Sequence, residues 1–397
     1  MSEIKKNRNK ISTEADQTAS FSSATTAASE AISLILQDTS KEIASLKEGK
    51  IPTEVIYAWE AGKKLWAIDH QGTHPYTLLV NNGFLDMFIS AWPDFQYSAK
   101  KLRECLWRMD TRIDIGTGNG IVSNMVAFPI VSQRASARLD REIKALRNKE
   151  LDDLPDESHK PHFIACDLSK ASLSLAEDLA KDHFHDLEKL FTLEYYQGTF
   201  QKLLAENNDE KPRLITMFNV LANFEYDDLK KILQDVADAM KPWDIFIPSF
   251  FAMHDMWKSM AFGMPFYHLT RLLYENNETE DRCVSAFCDR YKVDPQNVRY
   301  NVDRENDGRD FIDVTLSMPK KITLHVPGNN KKEINLPANE CRNTTHSSTP
   351  CTTFSVFKSY RMSQKSIKEL CESVWFKIDY ELYDRESIHF APVLYKP

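Results

Sequence analysis

Residues 112–124, RIDIGTGNGIVSN, place glycines at 116, 118 and 120 directly behind a short apolar run. Alternate glycines between a strand and a helix let the backbone approach a ligand, and a helix start offers free N–H groups. Such a turn suits a nicotinamide dinucleotide, a nucleoside-bearing methyl donor or a phosphate, and it also serves as a plain strand–helix turn. A dinucleotide site takes the spacing G-x-G-x-x-G, with an acid about 20 residues further on for the ribose. Here the spacing is G-x-G-x-G, and Asp114 stands two residues before the first glycine. The acid that ends the next predicted strand, Asp167, is delayed by a charged insertion at 133–160.

Other chemistries have weaker carriers. His162, His183 and His185 lack Cys or carboxylate partners at zinc spacing, so no metal site is predicted. The seven cysteines (105, 166, 283, 288, 341, 351 and 371) include no CxxC pair, and their number is odd. Reduced thiols in a cytoplasmic protein are the simplest reading. Neither a GxSxG elbow nor a P-loop occurs. Net charge is −8, which favours neither nucleic acid nor an anionic membrane. No apolar run approaches the roughly 20 residues that span a bilayer. The basic N-terminus lacks the apolar stretch of a secretory signal, so the sequons at Asn277 and Asn343 read as chance matches.

The elements that must position the turn follow a βα alternation. Residues 1–26, rich in Ser, Thr and Ala, read as a disordered tail, and 27–108 as a helical, aromatic-rich N-terminal segment. TRIDIG, HFIACD, LEYYQG, RLITMFNVL and WDIFIPSFF read as strands, separated by helical text such as SKASLSLAEDLAKDHF and DDLKKILQDVADAM. That rhythm predicts a mostly parallel, doubly wound α/β sheet. Residues 252–354 break it with Met-rich helical text, two antiparallel-type strands (DFIDVTLSM and KKITLHV) and a polar loop at 329–350. A helix and two strands then close the chain. The expected organisation is a Rossmann-like domain at 109–251 and 355–397, interrupted by an inserted α+β subdomain at 252–354.

An acid two residues before G-x-G-x-G resembles motif I of class I S-adenosylmethionine-dependent methyltransferases. In them the glycine turn faces the methionine moiety, and the acid ending the second strand holds both ribose hydroxyls; Asp167 stands at that place. Longer patches resemble the histidine-specific methyltransferase family of ergothioneine synthesis, from about residue 50 to the end. In RLITMFNVLANFEYDDLKKIL the family's Gly-Asn-Phe is Ala222-Asn223-Phe224. In KIPTEVIYAWEAGKKLWAIDHQGTHPYTLL the matching positions include Tyr57, Gly62, Leu65, Trp66, Tyr76 and Thr77. LLYENNETEDRCVSAFCDRY brings Tyr274 and Phe287 to family positions, and FSVFKSYRMSQKSIKELCESVWFKI brings Lys358 and Tyr360.

The resemblance implies an S-adenosylmethionine cofactor, S-adenosylhomocysteine as product, and a small amine or amino acid as acceptor. It implies cofactor contacts from Tyr57, Asp114, Gly116, Gly118, Gly120, Asp167, Thr199 and Phe200. Asn223, Tyr76 and Tyr274 would hold and orient the reacting amine, with Val314, Ser355 and Phe357 lining the acceptor pocket. On composition alone, Asn223 serves equally as a helix N-cap, and buried tyrosines usually pack and satisfy one hydroxyl. The chain also departs from the family. Gly198-Thr199-Phe200 replaces Gly-Asp-Phe, a hydroxyl in place of the acid on adenine. Ser355 and Phe357 replace the Glu and Ser that recognise imidazole, which implies an acceptor other than histidine, aromatic or apolar. Two rival readings stand beside this one: a catalytically silent relative that only binds, and a nicotinamide-dependent oxidoreductase.

Overall fold

The structure, a computed structural model, describes residues 39–52, 55, 109, 111–118, 160–183, 191–207, 211–218, 220–253, 260–261, 264–265, 271, 274–275, 277–306, 310–318, 322–326, 333–336, 352–383 and 389–397. The tail, Tyr57, Tyr76, Gly120 and most of the charged insertion lie outside the described residues.

In chain order, α1 (Thr39–Lys47) precedes β1 (Thr111–Ile115), β2 (His162–Asp167), α2 (Lys170–His183), β3 (Thr192–Gln197) and α3 (Phe200–Glu206). Next come β4 (Arg213–Met217), α4 (Tyr226–Ala239), β5 (Ile245–Pro248), β6 (Phe250–Met253) and the short pair β7 (Met260–Ala261) and β8 (Met264–Pro265). α5 (Asn277–Tyr291) leads to β9 (Arg299–Asn306), β10 (Asp310–Met318), β11 (Ile322–His325), β12 (Glu333–Leu336) and β13 (Thr352–Tyr360). β14 (Met362–Ser363), α6 (Gln364–Ser373), β15 (Lys377–Tyr383) and β16 (His389–Tyr395) end the chain.

The central sheet runs β3-β2-β1-β4-β5 in parallel, then β16 antiparallel beside β5, with β15 antiparallel on β16. β1 and β4 are buried at all five positions, as expected of inner strands covered on both faces. One face packs Ile113, Ile115, Ile215 and Met217 under α4 and α6, and the other packs Phe163, Ala165, Leu214 and Ile247. α4 turns Leu229, Leu233, Val236 and Ala237 inward, a single apolar stripe at helical spacing. α6 begins at Ser363, whose side chain accepts from Ser366 N at 3.1 Å, and buries Ile367, Leu370 and Cys371.

A second unit is the three-stranded sheet β13-β10-β9. α1 and α5 cover it, so that Ile43, Leu46, Ile51 and Val55 share one core with Phe287, Tyr291, Ile312, Val314, Leu316 and Phe354. α1 and the residues up to Val55 that the structure describes thus pack as part of the insert. Two expectations change. DFIDVTLSM and KKITLHV do not pair together: β10 lies between β9 and β13, while β11 pairs with β12 inside the stretch read as a polar loop. The expected boundary at 354/355 falls within β13, which joins the inserted sheet, and the central sheet resumes at β14 beside β6. Alternation marks a half-buried strand but does not name its partner.

Candidate functional site

Strand order reverses between β1 and β4, and in open α/β sheets ligands bind beyond the carboxyl ends of the strands at that point. The glycine turn follows β1 there. Gly116 and Gly118 adopt φ of +71° and +58°, a region that residues with a Cβ rarely enter. Their surroundings differ. A Cβ on Gly116 would lie 2.3 Å from Val220 Cγ2, so the turn is wedged against the end of β4. A Cβ on Gly118 would meet nothing within 4 Å, so the space before this residue is open.

The amides of residues 116–118 are spent inside the protein. Gly116 N and Thr117 N donate to Cys166 O at 2.8 and 3.2 Å, and Gly118 N donates to Asp167 Oδ2 at 2.9 Å. Ser169 N donates to the other Asp167 oxygen at 2.9 Å. Two backbone donors thereby fix the Asp167 carboxylate at the carboxyl end of β2, beside the open face of Gly118. An anion cradle needs amides aimed outward, as at a phosphate loop. Residues 116–118 instead bind their neighbouring strand.

Asp114 works from beneath. Its side chain, 2% exposed, accepts from Thr216 Oγ1 at 2.5 Å and Thr117 Oγ1 at 2.9 Å. It ties β1, the turn and β4 together. Thr216 is a partner the sequence reading missed, because only the β1–β4 register sets Asp114 against it. The neighbouring Cys166 thiol is pushed up by burial, then by Asp167 and Asp114, which makes it an inert thiol. Beyond β3, Thr199 occupies the N-cap of α3 without a side-chain capping bond, and Phe200 packs half-buried against the core.

At the end of β4, Leu221–Asn223 form a 3-10 turn. α4 starts at Tyr226 with Glu225 at its N-cap, so Asn223 is not the cap of that helix. The Glu225 side chain makes no capping bond; it pairs with Lys50 at 3.2 Å and Lys358 at 3.6 Å. One carboxylate therefore joins the central domain, the N-terminal segment and β13. Sequence reading passed over Glu225, although a Glu at an N-cap is itself a signal that the side chain has other business.

In the insert, Tyr274 Oη donates to Ser359 Oγ at 2.7 Å, and Arg361 Nη1 donates to the same oxygen at 2.8 Å. Burial lowers the Arg361 pKa, and the Tyr274 hydroxyl opposes that shift. Tyr300 Oη donates to Tyr274 O at 2.7 Å, and burial raises the Tyr300 pKa. Val314 is fully buried in the subdomain core. The Ser355 hydroxyl lies on the opposite face of the sheet, donating to Asp313 Oδ1 at 2.8 Å. Val314 and Ser355 are therefore not brought together on one wall. Phe357 pairs with Val314 in register. Among the described residues no group of three His, Cys, Asp or Glu is placed to hold a metal, and no helix is long and apolar enough to cross a membrane.

No protein-family model matches the sequence, and no curated protein matches it. Solved structures do resemble the fold. One is an S-adenosylmethionine-dependent methyltransferase from Clostridium acetobutylicum ATCC 824, at 12% identity and TM-score 0.36, covering 82% of this chain and 98% of that one. Another is the CcbJ methyltransferase from Streptomyces caelestis, at 11% identity and TM-score 0.33, covering 79% and 98%. A third is mitomycin 7-O-methyltransferase MmcR, at 11% identity and TM-score 0.35, covering 87% and 75%. The strand order itself decides the architecture: five parallel strands reversing between β1 and β4, and a last strand inserted antiparallel beside β5. The fold is a doubly wound, Rossmann-like α/β sheet.

Proposed function

We propose that this chain is an S-adenosylmethionine-dependent N-methyltransferase acting on the amine of an amino acid or related small amine other than histidine. The observation that carries this reading is the junction of Gly118 and Asp167: an oriented carboxylate at the end of β2, beside an open glycine whose own amide donates to that carboxylate. The residues fit the cofactor. Asp167 would hold the ribose hydroxyls, the backbone from Gly116 the methionine moiety, and Thr199 and Phe200 the adenine, with Tyr57 and Gly120 as further contacts.

When bound, the cofactor supplies an activated methyl group. The chain must then present a neutral amine lone pair in line with it and exclude water. Asn223, at the 3-10 turn behind β4, would orient the amine. Tyr274, tied to Ser359 and Arg361, and Tyr76 would position the acceptor and, with a bound water, carry away the ammonium proton.

The test uses methyl-labelled S-adenosylmethionine with a panel of amino acids, aromatic amines and a small-molecule extract. Label should enter a small amine in the wild type and vanish in Asp167→Ala, with Asp167→Asn intermediate. S-adenosylhomocysteine should bind the wild type. Absence of that binding refutes the reading of the glycine turn. Binding without transfer favours a relative that only binds, and transfer to histidine refutes the reading of Ser355 and Phe357.

A further inference from the structure

β1 and β4 are buried at every position, and strands covered on both faces are built mainly from apolar residues. In the carboxyl halves of these two strands, Asp114 and Thr216 break that rule, at 2% and 0% exposure. The register sets them side by side, and Thr216 Oγ1 donates to Asp114 Oδ1 at 2.5 Å, with Ile113 O farther off at 3.4 Å. The other carboxylate oxygen, Oδ2, takes Thr117 Oγ1 at 2.9 Å, and the same hydroxyl lies 3.0 Å from Asp114 O. Burying a carboxylate is costly, and apolar side chains in such a place often stabilise a fold at least as well. What a bonded polar network adds is one fixed arrangement.

The arrangement fixed here is the glycine turn. Thr117 stands between Gly116 and Gly118, both left-handed, and is the only residue of the three with a side chain. Glycine loses more conformational freedom on folding than any other residue, so such a turn keeps its shape only through bonds. On one side Gly116 is wedged against Val220, and on the other Gly118 N donates to Asp167 Oδ2 at 2.9 Å. The Thr117 hydroxyl, tied to Asp114, lies between those two anchors. Contacts therefore run from Thr216 through Asp114 and Thr117 to the Gly118 amide and the Asp167 carboxylate, where the open space begins.

We propose that Thr216 is a positioning residue for the cofactor: its hydroxyl, acting through Asp114 and Thr117, holds the glycine turn in the shape that keeps the Gly118 amide on Asp167. The proposal rests on the methyltransferase reading above and adds to it a residue that touches no ligand. At 0% exposure the Thr216 side chain has no surface to offer one. Its hydroxyl orients the Asp114 carboxylate from β4, and that carboxylate fixes Thr117 from β1. Loss of the hydroxyl deprives Oδ1 of this donor and lets the turn relax, so that Gly118 N no longer holds Asp167 in the orientation that the ribose hydroxyls require.

The test is calorimetric titration of the full chain with S-adenosylhomocysteine, with the thermal unfolding of each variant measured in parallel. Thr216→Val keeps the shape and removes the hydroxyl, and should weaken binding about ten-fold. Thr216→Ser should restore the wild-type affinity. Thr117→Val should weaken binding to a similar extent, and the double variant should be no worse than either single one, because both break the same path. Val393→Ala removes buried apolar contacts on the same side of the sheet, and should lower stability while leaving affinity unchanged. Wild-type affinity in Thr216→Val, additive losses in the double variant, or an equal loss of affinity in Val393→Ala overturns the proposal. Should Thr216→Val fail to fold, wild-type affinity in Thr117→Val overturns it. S-adenosylhomocysteine failing to bind the wild type sinks the methyltransferase reading and this role with it, whereas equal binding to the wild type and Thr216→Val sinks only the role of Thr216.

Discussion

Each of the two regions is fastened by a buried arginine–carboxylate pair, and the two pairs connect the chain differently. In the central sheet, Arg213 is 1% exposed and meets Asp244 through Nε at 3.0 Å and Nη2 at 2.6 Å. The Asp244 carboxylate also takes Arg213 N at 2.8 Å and Lys241 N at 2.9 Å. Arg213 adds bonds to the carbonyls of Asn207 and Ala239 at 2.8 and 2.7 Å. All of these groups lie in α3, β4 and α4 or in the turns that follow α3 and α4. In the insert, Arg290 grips Glu42 through Nε at 3.0 Å and Nη2 at 2.9 Å, and Tyr291 Oη adds 2.9 Å. That pair joins α1 to α5 across most of the chain. The Arg213 pair links neighbours in sequence, while the Arg290 pair completes the insert with a segment that precedes the whole domain.

Breaking one partner of either pair strands a buried charge, at a cost of about 3–5 kcal/mol. Glu42→Ala should lose that stability in chemical denaturation by loosening the insert, while S-adenosylhomocysteine still binds. Asp244→Ala should cost a similar amount and weaken S-adenosylhomocysteine binding, because β4 carries Thr216 and the turn behind it. If the two variants affect binding equally, the division into two separately fastened regions fails.

A smaller effect separates the two glycines of the turn. Gly116→Ala combines left-handed strain of about 1–2 kcal/mol with a clash costing roughly 1–3 kcal/mol. Val220→Ala should recover the clash component, measured by thermal unfolding. Gly118→Ala should cost only the backbone strain, yet weaken S-adenosylhomocysteine, because its methyl group enters the open space. Equal stability losses in the two variants would contradict the wedge at Val220.

The smallest effect lies at the opposite edge of the sheet. Trp375 is 76% exposed and holds φ at +69° in the turn before β15. Trp375→Gly should stabilise the protein by about 1 kcal/mol in denaturant titration, since it relieves that strain. A loss of stability would mean that the indole packs more than its exposure implies.

Much of the central domain was readable in the sequence. β1, β2 and α4 lie within a residue of their expected bounds, since buried parallel strands are apolar runs and amphipathic helices repeat at 3.6 residues. The glycine turn and Asp167 were readable for the same local reason. Asp114 lies in β1, and the two threonine hydroxyls that bond its carboxylate are brought to it by the turn and by β4. The insert was read less well. Its central strand β10 was expected, but its partners β9 and β13 were not assigned to it, because pairing is set by distant register.

The sequence by itself determined the α/β alternation, the glycine turn, and the acid that closes β2, because each is local chemistry at fixed spacing. Only the tertiary structure decided which amides the turn keeps for itself, that Asp114 serves Thr216, that α1 belongs to the insert, and that Ser355 holds a carboxylate from the neighbouring strand. Each of those depends on a contact between residues distant in the chain, and register, burial and packing fix such contacts only once the whole molecule has folded.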